Sequence, residues 1–251
     1  MPRGGSFTAR SYRDMGVVLR TYPLGEADRI VVLLTREHGQ VRAVAKGVRR
    51  TSSRFGARLE PFNLSDLQLV HGRTLDVVSQ AIGRKGWASP IAADYGKFTA
   101  AAAVVEAAEQ ITDNDDSESS QHYQLVAGAL SAIARGLHDS AAIMDSYLIR
   151  AISVAGWAPS LTDCALCRRT GPHSWFSSAS GGVVCDLCRP PGALAPEPEV
   201  LKYVEALLHG WWEHIDTAAS RVAGAAGRIV ADYVQFHLER TVRALALVER
   251  N

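Results

Sequence analysis

The 251-residue chain is short of several features, and each absence narrows its class. It has no run of 18 consecutive apolar residues, so no membrane-spanning helix and no membrane partner are expected. Its first ten residues, MPRGGSFTAR, are small and polar and lack the apolar centre of a secretory signal, which points to a soluble, cytoplasmic protein. Nucleotide hydrolysis has no signature. Gly96-Lys97 is followed by Phe98 where a phosphate-binding loop needs Ser or Thr, and Ile91 stands where that loop needs its first glycine. Aromatics make up only 7% of the chain. Cysteine occurs four times, all in one segment, so a disulfide framework spread through the chain is excluded. No acidic residue lies between His38 and Leu59.

What is present is an ordinary globular composition, 47% hydrophobic and 21% charged, too apolar for a disordered chain. The net charge of +1 hides an asymmetry: residues 1–80 hold 13 Lys and Arg against 7 Asp and Glu, and the remainder is acidic. A basic front on a mildly acidic body suggests that the first segment meets a polyanion. Segments 17–22, 30–35, 40–46, 64–70 and 74–82 read as strands, with His38-Gly39 and His71-Gly72 as hairpin turns. Five short strands in about 80 residues predict a small antiparallel sheet, most simply a barrel, since closure removes exposed edges. From about residue 90 the pattern turns to Ala-rich helix: Pro90 opens Ile91–Ile111, and helical spacing resumes over 121–138, 141–156, 197–208 and 219–239. The expected division is residues 1–85 for the β module and 86–251 for a helical domain, with an insert at 160–192.

The four cysteines read Cys164-Ala-Leu-Cys167, then seventeen residues, then Cys185-Asp-Leu-Cys188. Two residues between paired cysteines let both thiolates reach one tetrahedral ion, and the second pair closes a four-thiolate site with no open position. One structural zinc ion (Zn2+) is therefore expected on Cys164, Cys167, Cys185 and Cys188, between ribbon strands Trp175-Phe176-Ser177 and Gly182-Val183-Val184. Two disulfides are the alternative, and a reducing compartment disfavours them. His173 could replace one thiolate as a ligand, but four well-spaced cysteines leave it no need to. A catalytic zinc would need a free position and a nearby base, and neither cysteine pair has the flanking residues of a zinc deaminase.

Six cations fall in the acid-free stretch: Arg42, Lys46, Arg49, Arg50, Arg54 and Arg58. Guanidinium forks pair with phosphate oxygens, and the interspersed Gly and Ser permit close backbone approach, so this segment is the expected phosphate-binding site. A solvated loop without a partner is the bland alternative. Phe55 could stack on a base, whereas Phe62, after Glu60-Pro61, reads as core. Asp113, Asp115 and Asp116 lie in a Ser-rich acidic linker and do not make a nuclease site. Trp211-Trp212 reads as a packed helix end. No catalytic constellation emerges, so the chain is not expected to be an enzyme.

Several stretches resemble one family in order along the chain: Arg20 to Thr35 (RTYPLGEADRIVVLLT) followed by Gly39, Val44 to Arg49 (VAKGVR), Arg58 to Asn63 (RLEPFN), and Tyr233 to Glu239 (YVQFHLE). On these, and on the position of the cysteine quartet, the chain resembles the RecO family of bacterial recombination mediators from residue 13 onward. The resemblance implies an α+β multidomain fold: an N-terminal antiparallel β-barrel, OB-like, followed by a helical domain with an inserted four-cysteine zinc ribbon. It implies a nucleoid-associated protein of DNA repair that binds single- and double-stranded DNA and anneals complementary strands. Such a protein helps load RecA onto DNA covered by single-stranded-DNA-binding protein, with RecR and in many bacteria RecF as partners. The DNA-contact residues it implies are Lys46, Arg49, Arg50, Arg54 and Arg58, with Arg42 at the edge of the set. The runner-up is a zinc-ribbon/OB-fold RNA-binding protein of transcription or translation, and the third reading a zinc hydrolase.

Overall fold

The computed structural model describes residues 11–51, 53, 55–113 and 118–250. Five strands form a closed barrel in the order β1-β2-β3-β5-β4: β1 (Ser11–Leu24), β2 (Asp28–Thr35), β3 (Gln40–Ala45), β4 (Leu64–Val70) and β5 (Asp76–Lys85). The pairings are antiparallel except the closing one, where Ala43 and Val44 run parallel to Asp76 and Val77. That departure from a purely antiparallel sheet follows from parity, since an odd number of strands cannot alternate direction all the way round a closed ring. β1 is twice as long as its hydrophobic stretch suggested. Its first seven residues, Ser11–Val17, are held by the ladder to β4, and Gly16–Leu24 by the ladder to β2.

The unbroken apolar runs of β1 and β2 have a specific cause. Val18, Val31 and Leu33 point into the barrel, where they meet Leu67, Leu69 and Val78. Val17, Leu19, Val32 and Leu34 point outward and pack against the helices. A strand buried on both faces cannot alternate. The barrel and the helical body therefore share one hydrophobic core across the outer face of β1 and β2.

The body begins with α1 (Ala88–Ala92) and α2 (Tyr95–Ile111). A single helix from Pro90 was expected; instead Asp94 interrupts it. Its backbone is extended and its carboxylate accepts the Lys97 N–H at 2.9 Å, which ends one helix and caps the next. α3 (Ser119–Arg135) and α4 (Ser140–Val154) follow, and α4 is buried along nearly its whole length. A small two-stranded hairpin, β6 (Trp175–Ser177) and β7 (Gly182–Val184), precedes α5 (Pro198–His209), α6 (Trp212–Asp216) and α7 (Ser220–Leu238). The chain closes with a 3-10 turn, Arg243–Leu247, against α2. Beyond it Arg250 reaches over Gly227 to the buried Asp145 carboxylate at 2.9 Å. A side chain at position 227 would collide with both partners. No helix among the described residues is long and apolar enough to cross a membrane.

Candidate nucleic-acid interface and metal centre

The acid-free stretch contains β3, and the loop that follows the strand has two opposite sides. Val48, Phe55 and Leu59 are buried in the barrel core, whereas Lys46, Arg49, Arg50 and Arg58 are exposed. Apolar residues every few positions thus staple the segment to the barrel and leave Lys46, Arg49, Arg50 and Arg58 on the outside, where Arg49 Nη1 donates to the Gly25 carbonyl at 3.1 Å. The backbone is tied down too. The Gly47 N–H donates to the Asp28 carboxylate at 2.7 Å, and the Arg49 N–H donates to the Ala27 carbonyl at 3.0 Å. Gly47, at φ +67°, makes the left-handed turn that side chains resist. At Gly47 the small residue thus serves a tied-down turn. Phe55 is fully buried, which removes it as a base-stacking residue, and Phe62 is core as expected. Arg54 lies outside the described residues.

Arg42 sits apart from the loop. It stands on β3 in line with Val32 and Arg20 on the neighbouring strands. Arg20, Arg42, Arg240 and Arg243 line a cleft of about 930 Å³ between the barrel, α2 and the C-terminal segment. Carboxylates share that cleft: Glu109 pairs with Arg20 at 2.9 Å and Asp113 with Arg240 at 3.6 Å. Asp113 thus belongs to an ion pair, while Asp115 and Asp116 lie outside the described residues. Sequence reasoning missed Arg20, Arg240 and Arg243, because isolated arginines 200 residues apart leave no local signal.

The cysteine segment folds as the spacing predicts. Each pair makes a tight turn, with the Arg168 N–H on the Cys164 carbonyl and the Cys188 N–H on the Cys185 carbonyl. Between the pairs β6 and β7 form the hairpin, with register Trp175↔Val184 and Ser177↔Gly182. Gly182 is required there, since a Cβ would lie 2.1 Å from the Ser160 carbonyl oxygen. The insert docks on α7 through Phe176 against Tyr233 and a 2.6 Å hydrogen bond from Ser178 to Asp232.

All four sulfurs lie within 4.8 Å of one another and none is in a disulfide. The Cys167 and Cys185 sulfurs are 3.8 Å apart, close to the edge of a tetrahedron with metal–sulfur bonds of about 2.3 Å. Backbone N–H groups, that of Cys167 foremost, pull the Cys164 thiol down to about 6. Hydrogen bonding to the sulfurs of Cys167 and Cys185 pushes Cys188 up to about 12. Sulfurs this crowded share protons poorly, and one cation replacing those protons relieves them all. The four cysteines could hold one metal ion. His173 is turned away, its Nε2 2.8 Å from the Arg169 carbonyl oxygen. Trp212 packs on His138 at 4.1 Å, as a packed helix end should, while its neighbour Trp211 is half exposed.

An OB-like barrel, sharing its outer core with a helical body that carries a four-cysteine ribbon, is a recognisable class of protein. Two family models divide the chain: Recombination protein O N terminal over residues 10–86 and Recombination protein O C terminal over residues 92–246. The chain is 50% identical over 245 residues to the DNA repair protein RecO of Cutibacterium acnes (strain DSM 16379 / KPA171202), covering 96% of this chain and 99% of that one. It is 49% identical over 239 residues to the DNA repair protein RecO of Thermobifida fusca (strain YX), covering 95% and 98%. The chain belongs to the RecO family.

Proposed function

We propose that this protein is a recombination mediator of DNA repair. It binds single- and double-stranded DNA, anneals complementary strands, and helps load RecA onto DNA covered by single-stranded-DNA-binding protein, with RecR as a partner and RecF as one in many bacteria. Near-full-length membership in the RecO family supports the role in repair and recombination. The observation that carries the DNA-binding part is the stapled basic loop, with Lys46, Arg49, Arg50 and Arg58 exposed on a segment anchored by Val48, Phe55 and Leu59. Phosphates are met by such outward cations at no cost to the core, with Arg54 in the same stretch of sequence and Arg42 on the adjoining strand. Annealing follows from screening, because two polyanionic strands approach only when their charge is neutralised.

The metal on Cys164, Cys167, Cys185 and Cys188 is zinc, one ion per chain, with a structural role. Four thiolates leave it no position for water or substrate, so no hydrolytic step runs through it. The protein works in this reading without a catalytic residue, in the cytoplasm at the nucleoid. The experiment that tests it is strand annealing of complementary oligonucleotides, bare and covered by single-stranded-DNA-binding protein. Acceleration in both conditions is expected, with DNA favoured over RNA of the same sequence. No acceleration of bare strands would sink the proposal, and a preference for RNA would point to 2′-hydroxyl recognition instead.

A further inference from the structure

The two His-Gly turns meet across one ring at the end of the barrel where β1 begins. Tyr12, near the start of β1, lies between His38 of the β2–β3 turn and His71 of the β4–β5 loop. Both ring centroids are 4.5 Å from that of Tyr12, and the His71 ring is within 25° of parallel to it. Carboxylates fix each ring by its polar edge. Asp14 is buried, takes His38 Nδ1 at 2.6 Å, and also accepts the backbone N–H groups of Glu37 and His38. Asp76 accepts the Tyr12 hydroxyl at 2.5 Å and lies 3.5 Å from His71 Nδ1. Burial and the Asp76 hydrogen bond hold the Tyr12 phenol protonated, so it remains a donor.

Each imidazole thus has its Nδ1 beside a carboxylate and its ring against Tyr12, that of His71 stacked and that of His38 inclined by 42°. The His38 and His71 side chains are 42% and 55% exposed, far more than a plug closing a barrel requires. Arg36 and Arg73, both exposed, stand in the same two loops. β3 joins this end to the basic loop: His38 precedes it, Lys46 follows it, and Arg42 stands between. Eight residues of near-extended chain span about 25 Å at 3.3 Å each, the scale of a site for a few nucleotides.

We propose that the His38–Tyr12–His71 stack is a platform for an unpaired base of single-stranded DNA whose phosphates run along β3 to the basic loop. The inference rests on the DNA-binding reading above and adds to it a means of telling single strands from duplex. Cations meet the phosphates of both, but only an unpaired base offers its face to a ring.

The test compares wild type, His38→Ala/His71→Ala and His38→Phe/His71→Phe on a single-stranded oligonucleotide and on a duplex of equal length. The alanine variant should bind the single strand at least about fivefold more weakly, the lower range for losing one stacked base. Duplex affinity and the salt dependence should stay unchanged, since no phosphate contact is removed. The phenylalanine variant should keep single-strand affinity, which separates stacking from hydrogen bonding. A 2-aminopurine base in the oligonucleotide should lose fluorescence on wild type and recover it on the alanine variant. Equal binding of single strand by wild type and alanine variant, or parallel loss on single strand and duplex, would overturn the stack alone. A wild type that binds neither DNA would overturn the DNA-binding reading and the stack with it.

Discussion

The barrel and the ribbon insert solve the same problem, that of holding a short β-structure together, by different means. Among the described residues, twelve buried apolar side chains from Val18 to Ala81, three of them on the loop after β3, form the inner core of the barrel. The insert's own cluster has three buried members, Cys164, Val184 and Cys185, while its Phe176 and Val183 are buried against the helical body instead. Two three-residue strands cannot fold on that much apolar surface; a hairpin of this size is marginal in water at best. The barrel is thus stable by burial and free to carry cations on its surface, whereas the ribbon leans on its docking through Phe176 and, in the reading proposed above, on a metal held by its four thiolates. A surface charge on the barrel should therefore be dispensable, whereas the loss of one thiolate should open the insert.

The largest expected effect breaks the comparison on the ribbon side. Structural zinc in finger peptides contributes about 10–16 kcal/mol of apparent binding energy, well beyond anything the insert buries. Chelation or Cys185→Ser should release the metal and open residues 160–192 to limited proteolysis, while the barrel keeps its far-ultraviolet β signal. Full zinc occupancy in a Cys164→Ser/Cys185→Ser variant would contradict the ligand assignment.

The next effect breaks it on the barrel side. Phe55→Ala removes the fully buried ring that staples the basic loop, and should cost about 3–5 kcal/mol of stability. Denaturant unfolding measures this, and metal content per folded chain should be unchanged. If zinc were lost in parallel, the two regions would not be independent.

A third change sharpens the comparison within the helical body, whose C-terminus is held by a buried ion pair. Arg250→Ala leaves the Asp145 carboxylate buried without its cation and should cost roughly 3 kcal/mol at neutral pH. Burial already raises the Asp145 pKa, and losing Arg250 raises it further. A raised carboxyl gives stability that is complete below its unfolded value and fades as pH rises through its folded value. The deficit of the variant relative to wild type should therefore shrink as pH falls into the acidic range. A deficit independent of pH would mean that Arg250 acts through packing.

How far the chain could be read from its sequence differs between the same regions. The cysteine ribbon was almost fully legible, down to Trp175–Ser177 and Gly182–Val184, because metal geometry dictates spacing along the chain. The strands were legible in number, and the double-sided burial of β1 and β2 left its trace as Val17-Val18-Leu19 and Ile30–Leu34. Contacts between distant segments were not legible. Nothing around Tyr12, His38 or His71 announces that three elements bring their rings together, although each histidine stood at a visible turn. Phe55 illustrates the converse: an aromatic among arginines reads as a stacking residue, and only the closed barrel shows that it points inward.

The smallest effect on stability carries the most direct test. If the basic loop binds phosphates, each contact contributes about −0.7 to the slope of log affinity against log salt for single strands, so four contacts give roughly −3. Arg49→Ala/Arg50→Ala should make that slope shallower by about 1.4 and weaken all sequences alike. Its stability should stay within about 0.5 kcal/mol of wild type, because both side chains are exposed. Fluorescence anisotropy over a salt series, on wild type and variant side by side, makes the measurement. A slope shallower by about 1.4 is the predicted result; an unchanged slope would mean that DNA binds elsewhere and that the outward cations of this loop serve only solvation.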